Sequence, residues 1–257
     1  MKIAIISRSG SALQHVIKHL ALQHLKCEPT LISLNLNLRQ KLGIAMTLKR
    51  RMSFVSLSYF VVIKYFETKC ILRYIKVKKI FKSSPDLNFD SDSSELLEFL
   101  SLEKFDLLVL GQNVVLPKAV LDAGLNRFVN VHPARLPQYR GYAEPAHALL
   151  SGKTEDVGYS LHLVSPHLDQ GGLIEFVQVD LRDTDSLNSS LVQVRIKGYD
   201  DLFRRIATKG VSDFLNCAMP QNHYEAKTVG ILPYGKRLEL DLRIFRRRLK
   251  RRLKMIS

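Results

Sequence analysis

Cysteine, tryptophan and long apolar runs are scarce in this sequence. Among its 257 residues there are three cysteines and no tryptophan. Cys27, Cys70 and Cys217 form no Cys-x-x-Cys pair, which argues against a disulfide framework or a structural zinc site and favours the reducing cytoplasm. The longest apolar stretch, Phe54–Ile63, has about ten residues, half of what a membrane-spanning helix needs. The apolar run in residues 1–10 is too short for a secretion signal and predicts a strand.

Acidic residues are also in the minority. The chain has 39 Lys and Arg against 24 Asp and Glu, a net charge of +15. Residues 39–82 carry +11 of this charge and residues 236–254 carry +8, so the remainder is slightly acidic. A basic chain commonly binds nucleic acid or an anionic membrane. Because the excess is confined to two segments, it indicates a large anionic partner or a location rather than the chemistry of the rest.

Both basic segments have apolar residues at helical spacing. Residues 39–82 predict a basic helical insertion, with a strand near Tyr74–Val77, and the end of the chain predicts a basic helix with an apolar stripe. Such helices can lie on an anionic membrane, or can pack onto their own domain by the stripe. We expect a catalytic domain over residues 1–210, which includes the insertion, and a basic C-terminal extension over 211–257.

Short apolar runs alternate with helical patterns along the rest of the chain. Strands linked by helices form parallel sheets with right-handed crossovers, so the expected fold class is α/β, a Rossmann-like and mostly parallel twisted sheet. The predicted strands are residues 2–7, 30–36, 106–110, 128–131, 157–164 and 173–179, and the main helices are 11–25 and 186–207.

Glycine is nearly absent from the first part of the chain and frequent later. Only Gly43 lies between Gly10 and Gly111, whereas residues 111–172 contain seven glycines. Tight turns therefore concentrate in this second stretch, and functional residues often lie on such loops.

Asn130 and His132 are the first chemically informative pair in that stretch. They lie two residues apart on a predicted strand, so their side chains share one face, and Pro133 places them at its carboxyl end, where α/β sheets bind ligands. An amide beside an imidazole can stabilise an oxyanion and move a proton. Asp169 follows in a glycine-rich loop, where a carboxylate could orient or charge the histidine or accept the proton. The alternative is that His132 is a buried histidine with a structural hydrogen bond.

The order of these residues resembles the N10-formyltetrahydrofolate-dependent formyltransferases. Their pattern, Asn-x-His-Pro-x-x-Leu-Pro followed later by Leu-Asp-x-Gly, is present here as Asn130 to Pro137 and Leu168 to Gly171. The resemblance covers roughly residues 1–14 and 90–207. It implies the formyltransferase fold and transfer of a formyl group from the folate, as co-substrate, to a primary amine, with neither a metal nor a covalent enzyme intermediate.

The resemblance also implies roles for individual residues. Asn130 and His132 would stabilise the tetrahedral oxyanion, and Asp169 with His132 would manage the amine proton. The implied folate contacts are Asn113, Val114, Val115 and Leu116, then Ala134, Arg135, Leu136 and Pro137, and finally Pro166, His167 and Leu168. Core packing explains Val114, Val115 and Leu136 equally well. The implied acceptor contacts are Gly10, Ser11 and Ala12, together with Tyr139, Arg140 and Gly141.

Three branches of that family differ in the amine they formylate. Gly10–Ala12 resembles the phosphate-binding turn of the glycinamide ribonucleotide enzymes, although it could be a plain turn. Gln138–Gly141 is closer to the tRNA and sugar branches. About 50 residues follow the helix at 186–207, which is short for the C-terminal barrel of the tRNA enzymes, so nucleic acid is the less favoured partner although phosphate contacts would explain the basic charge.

By elimination, the sequence favours a small-molecule amine, an amino sugar or a related envelope or natural-product precursor. Glycinamide ribonucleotide and methionyl-tRNA are the alternative acceptors. A formyl-folate hydrolase and a non-catalytic binding module are the alternative functions. The expected location is cytoplasmic. A peripheral position at the inner face of the membrane, through the basic helices, would suit an envelope substrate.

Overall fold

The computed structural model describes residues 1–36, 40–42, 46, 54–80, 85–90, 94–111, 114, 116–122, 127–142, 145–181, 186–222 and 226–254. Its strands are β1 Ile3–Arg8, β2 Thr30–Asn35, β3 Leu87–Asp90, β4 Leu107–Leu110, β5 Phe128–His132, β6 Arg140–Gly141, β7 Gly158–Leu163, β8 Leu173–Gln178 and β9 Thr228–Val229. Its helices are α1 Leu13–His24, α2 Phe54–Val77, α3 Ser94–Leu102, α4 Lys118–Asp122, α5 Pro145–Leu150, α6 Leu187–Lys209, α7 Val211–Asn216 and α8 Tyr234–Lys254, with a 3-10 turn at Thr154–Asp156.

Seven strands form one mostly parallel sheet in the order β3-β2-β1-β4-β5-β7-β8. The five strands from β3 to β5 pair in parallel, and β7 and β8 continue the sheet antiparallel. The chain winds outward in one direction from β1 to β3 and then returns to place β4 on the other side of β1. This reversal opens a crevice at the carboxyl ends of the strands. The predicted α/β class and mostly parallel sheet are confirmed.

Helices cover both faces of the sheet because its central strands are apolar on both sides. All four residues of β4 are buried, as expected for a strand between two helical layers. The helices α1 and α6 pack on one face with the inner residues of α2, and α3 packs on the other. Ser186 begins α6 by accepting a hydrogen bond from the Ser189 backbone N–H at 3.2 Å.

Helix α6 crosses directly over β5 at Gly198. A Cβ atom at this position would lie 2.4 Å from Cγ1 of Val131 and 3.1 Å from the Tyr159 ring. Glycine therefore allows the helix to approach the strand that carries Asn130 and His132. This close contact fixes the turn of α6 around Gly198 against β5.

The insertion contains the long helix α2, whose inner face packs on the domain through Ile63, Ile71 and Ile75. The predicted strand near Tyr74–Val77 is wrong, because these residues are the last turn of α2. The β-branched residues there favour a strand by intrinsic propensity, but burial of isoleucines at helical spacing overrides it. The helix ends in a left-handed cap, where Lys79 has φ 52° and the Ile80 N–H donates to the Ile75 carbonyl at 3.0 Å.

The segment after α6 folds back onto the domain. Strand β9 pairs in parallel with β6, and Met219 exchanges two backbone hydrogen bonds of 2.8 Å with Leu173 at the start of β8. Leu240 of α8 is buried against Ala146 and Leu187. The C-terminal basic helix is present as predicted, whereas the domain boundary at residue 210 stays a prediction. Nowhere in the described chain is a helix both long and apolar enough to cross a membrane.

Candidate functional site

The site lies where β4, β5 and β7 meet at the carboxyl end of β5. Asn130 stands between Leu110 of β4 and His162 of β7 in the strand register. His132, two residues further on, is buried with only 4% of its surface exposed. The alternation of β5 therefore places the amide and the imidazole on one face, as the sequence predicted.

Hydrogen bonds fix the tautomers of both histidines. His132 Nε2 lies 2.8 Å from the Tyr139 carbonyl oxygen and therefore donates to it, which leaves Nδ1 with its lone pair. His162 Nδ1 donates to the Leu163 carbonyl at 2.8 Å, so His162 Nε2 accepts from the Asn130 side-chain amide at 3.1 Å. Asn130 is thereby oriented with its NH2 group toward the site.

Asp169 lies between the two histidines. Its Oδ2 is 3.7 Å from His132 Nδ1 and its Oδ1 is 3.8 Å from His162 Nε2. The Gly141 backbone N–H donates to Oδ2 at 2.8 Å. The φ of Asp169 is 53°, in the left-handed region that a non-glycine residue seldom adopts. The predicted trio Asn130, His132 and Asp169 is thus brought together, although its catalytic role stays a proposal.

Burial holds both histidines neutral. Loss of hydration lowers the pKa of His132 below its ordinary value, against the opposing effects of the Asp169 charge and the Tyr139 carbonyl. Burial likewise lowers the pKa of His162 to about 4. A neutral imidazole whose Nδ1 faces a carboxylate can accept a proton and share the resulting charge with that carboxylate.

Arg195 of α6 contributes a second buried charge near this cluster. Its guanidinium pairs with Glu67 of α2, and the side chains are 11% and 3% exposed. The positive charge lowers the pKa of His132 further. This effect is smaller than those of burial, of Asp169 and of the Tyr139 carbonyl.

The residues expected to contact folate follow the ends of β4, β5 and β7. Asn113 and Val115 lie outside the described residues. Val114 and Leu116 pack in the apolar cluster beneath the sheet, which accords with the core alternative for Val114. Pro166, His167 and Leu168 form an exposed rim beside Asp169.

The loop after β5 is held by contacts with β7 and with the 3-10 turn before it. The Leu136 N–H donates to Ser160 Oγ at 3.0 Å, and that hydroxyl donates to the Ala134 carbonyl. The Arg135 guanidinium pairs with Asp156 at 3.1 Å, so its side chain is engaged away from the catalytic trio. The folate roles of Ala134, Arg135, Leu136 and Pro137 stay predictions.

The residues expected to contact the acceptor fall in two places. Gly10, Ser11 and Ala12 line a cavity of about 260 Å³ together with Arg8, Ser9 and the α2 residues Lys64, Glu67, Thr68 and Ile71. The second set, Tyr139, Arg140 and Gly141, lies beside the trio. The Tyr139 carbonyl accepts from His132, and the Gly141 N–H donates to Asp169. The Tyr139 hydroxyl donates to Asp156 at 3.3 Å.

Sequence reasoning missed several residues of this site. His162 is signalled by a polar side chain within an apolar strand, seven residues before Asp169. Arg195 and Glu67 carry no local signal, because only the packing of α2 on α6 brings them together. Gln221 also belongs to the site: its side chain contacts Arg140 and the backbone of Asp169 from the C-terminal segment. Across the described residues, no group of three or more His, Cys, Asp or Glu is arranged to hold a metal ion.

Known proteins resemble this chain in sequence. The methionyl-tRNA formyltransferase of Listeria monocytogenes is 34% identical over 106 residues, which are 41% of this chain and 34% of that protein. That of a Hydrogenobaculum species is 27% identical over 146 residues, 55% of this chain and 47% of the relative. The matched regions therefore span between a third and a half of the length of these relatives.

Solved structures share the fold. A likely sugar N-formyltransferase from Mycobacterium tuberculosis has a TM-score of 0.53 at 15% identity, covering 89% of this chain and 74% of that chain. A sugar N-formyltransferase from a Shewanella species has a TM-score of 0.51 at 15% identity, covering 90% and 77%. A formyltransferase from Anoxybacillus kamchatkensis, solved in complex with tetrahydrofolate and a formamido sugar nucleotide, has a TM-score of 0.50 at 14% identity, covering 93% and 91%.

A family model also matches most of the chain in sequence. The model of the formyl transferase family matches residues 1–205, which span β1 to most of α6 and contain Asn130, His132 and Asp169. The resemblance stated from the sequence is confirmed, and this chain belongs to the formyl transferase family.

Proposed function

We propose that this protein transfers the formyl group of N10-formyltetrahydrofolate to a primary amine of a small molecule. The main support for this proposal is that the Asn130 amide, the His132 imidazole and the Asp169 carboxylate converge at the end of β5. Residues 113–116 and 134–137 follow the parallel strands β4 and β5, and residues 166–168 directly precede Asp169, whose carboxylate faces His132 and His162, so the three segments can border one groove. The exposed, partly apolar rim at residues 166–168 suits the flat ring of a pterin.

The donor supplies an activated formyl carbon for the amine nitrogen to attack. The Asn130 NH2 group, aimed by His162, can donate to the oxygen that becomes negative, and His132 adds charge stabilisation once it is protonated. His132 Nδ1 accepts a proton from the attacking amine and returns it to the folate nitrogen as the C–N bond breaks. Asp169, 3.7 Å from Nδ1, stabilises the imidazolium in between. The products are the formamide and tetrahydrofolate, with atoms and protons conserved.

The assay incubates the protein with N10-formyltetrahydrofolate and single acceptors: a nucleotide-linked amino sugar, glycinamide ribonucleotide or methionyl-tRNA. We expect tetrahydrofolate to form in proportion to a formylated amine detected by mass. Release of formate without an amine would replace the proposal by a hydrolase, and folate binding without turnover would replace it by a binding module.

We infer that the acceptor carries a phosphate or diphosphate group. The cavity beside Gly10–Ala12 contains the cations Arg8 and Lys64, while the carboxylate of Glu67 is shared by Lys64 and Arg195. Strand β1 lies two strands from β5, which separates the cavity from the trio by roughly 10 Å. A sugar nucleotide or a ribonucleotide can span this distance, so the amino-sugar acceptor is favoured and glycinamide ribonucleotide is the second candidate.

The acceptor hypothesis is tested with the charge of Arg8. Replacing Arg8 by Gln should raise the KM for an anionic amine about tenfold with a smaller effect on kcat, as expected for lost ground-state binding. Replacing Arg127 by Gln provides the matched control, because its guanidinium bonds to the Phe105 carbonyl away from the cavity. An unchanged KM in the Arg8 variant would reject the cavity as the anion site.

We further propose that the protein associates peripherally with anionic membranes from the cytoplasmic side. The outer face of α2 exposes large apolar residues next to basic ones, as an interfacial helix does. The exposed apolar residues of this face include Val61, Val62, Tyr65, Phe66 and Leu72, and its basic residues include Lys69, Arg73 and Lys76. The apolar content favours a lipid surface over RNA, which requires mainly phosphate contacts.

Co-sedimentation with phosphatidylserine-containing and with purely phosphatidylcholine vesicles tests this location. We expect binding to the anionic vesicles that Phe66→Ser weakens. Leu102→Ser, which replaces an exposed apolar residue of α3, should leave the binding unchanged. Equal and negligible binding to both vesicle types rejects the proposal. Vesicle binding that added RNA abolishes, while RNA binding is unchanged by added lipid, also rejects it.

A further inference from the structure

The C-terminal segment that follows α6 reaches into the site through one buried side chain. Gln221 is 6% exposed, and its three hydrogen bonds all lead to loops of the site. Its Nε2 donates to the carbonyl oxygens of Asp169 at 3.1 Å and Gly171 at 2.6 Å, and its Oε1 accepts from the Arg140 guanidinium at 3.2 Å. The family model ends at residue 205, so this contact comes from a part of the chain that the family match does not include.

The two loops that Gln221 joins are the two that hold the carboxylate of Asp169. The Gly141 N–H binds Oδ2 of this carboxylate, and Arg140–Gly141 is itself paired with β9 of the same C-terminal segment. On the other side, Gly171 touches β7 so closely that a Cβ atom would lie 1.8 Å from the Leu163 carbonyl oxygen. Gln221 therefore closes a ring of contacts around Asp169.

Asp169 needs such support because of its backbone. A non-glycine residue at φ 53° costs free energy and persists where its surroundings fix it. The carbonyl of this same residue is the one that Gln221 binds. Without the bond, the Asp169 peptide is free to relax toward ordinary φ values, which would swing the carboxylate away from both histidines.

We infer that Gln221 is a positioning residue that holds Asp169 in register with His132 and His162. It does not touch the reacting atoms; it acts through the Asp169 backbone and through Arg140. The inference rests on the proposed function only for its effect on turnover. The geometry it describes is measurable in the resting protein without an acceptor.

The first measurement is the pKa of His132 by NMR titration of the imidazole nitrogens, with Gln221→Met as the variant. The groups that act on His132 are the Asp169 carboxylate and the Tyr139 carbonyl, which raise its pKa, the Arg195 cation, which lowers it, and the neighbouring His162 ring. If Asp169 moves away, its raising effect is lost, so we expect the pKa of His132 to fall further. The matched control is Gln178→Met, because Gln178 lies at the far end of β8 and its side chain donates to the Thr154 carbonyl.

A His132 pKa that is the same in folded Gln221→Met as in the wild type would overturn the inference, even if the melting temperature falls. If Gln221→Met does not fold, Gln221→Asn is measured instead, since it keeps the amide but is too short to reach all three partners. For turnover we expect kcat to fall up to about 100-fold with little change in folate KM, as for a displacement near 1 Å. A wild type without transferase activity would reject the proposed function, while the NMR titration would still decide the role of Gln221.

Discussion

Replacing Gly198 by alanine tests whether α6 positions the strand that carries the proposed catalytic residues. The new Cβ atom would lie 2.4 Å from Val131 Cγ1, and carbon atoms prefer at least about 3.5 Å. The strand or the helix must therefore move by about 1 Å. The Val131 side chain cannot easily move aside, because it is branched, has few rotamers and is buried. Val131 lies between Asn130 and His132 in the sequence, so a shift of its backbone moves both.

Two opposing terms set the stability of this variant. Overpacking a core costs about 1–3 kcal/mol, whereas alanine is favoured over glycine inside a helix by about 1 kcal/mol. We expect a net loss of about 0–2 kcal/mol in the free energy of unfolding, so the protein still folds. The catalytic effect should be larger, because a shift of about 1 Å at β5 can lower kcat by about 100-fold.

Thermal unfolding and single-turnover formyl transfer are measured side by side on this variant. The matched control is Gly235→Ala in α8, where a Cβ atom meets nothing within 4 Å, so stability should stay level or rise slightly. Wild-type kcat in Gly198→Ala would refute the idea that the contact of α6 with β5 sets the site geometry.

Three further predictions follow from the buried polar groups. His132→Ala and Asp169→Asn should each abolish formyl transfer and leave the fold intact by circular dichroism; activity retained in both would reject the assignment of the trio. Tyr199→Phe removes the 2.8 Å bond from its hydroxyl to the Leu110 carbonyl beside Asn130, and chemical denaturation should show a loss of about 1–3 kcal/mol because a buried carbonyl loses its donor. The pKa of His162 is depressed to about 4 in the folded protein, so its contribution to stability is present above about pH 6.5 and lost as pH falls toward 4. The free energy of unfolding of His162→Asn, measured between these pH values, should therefore depend less on pH than that of the wild type. An unchanged pH dependence would show that His162 is not its source.

Local patterns predicted the parts of this molecule that local physics determines. Buried strands such as β4 are apolar runs, and a strand alternates its side chains, so the shared face of Asn130 and His132 follows from their spacing. The motif around them pointed to the right family. The helical end of α2 was missed because the β-branched residues of Tyr74–Val77 favour a strand until the helix packs on the domain.

Contacts between distant segments could not be predicted in the same way. His162 reaches the site because β7 pairs antiparallel with β5, and the sequence does not fix the register that sets His162 opposite Asn130. Glu67 and Arg195 are 128 residues apart and meet only after α2 has packed on α6. Neither Glu67 nor Arg195 carries a local signal of this contact, so their pairing depends on tertiary structure alone.

The first basic segment contains residues that contact the site, and the second follows directly after such residues. Helix α2 exposes its basic and apolar outer face, while its inner face supplies Lys64 to the cavity and Glu67 to Arg195. The C-terminal segment carries Gln221 and β9 before it continues into the basic helix α8. A partner bound to the outer face of α2 would therefore act on the same helix whose carboxylate holds Arg195, and the charge of Arg195 lowers the pKa of His132. Under the proposed membrane association, α2 would therefore carry both the surface contact and the carboxylate that pairs with Arg195.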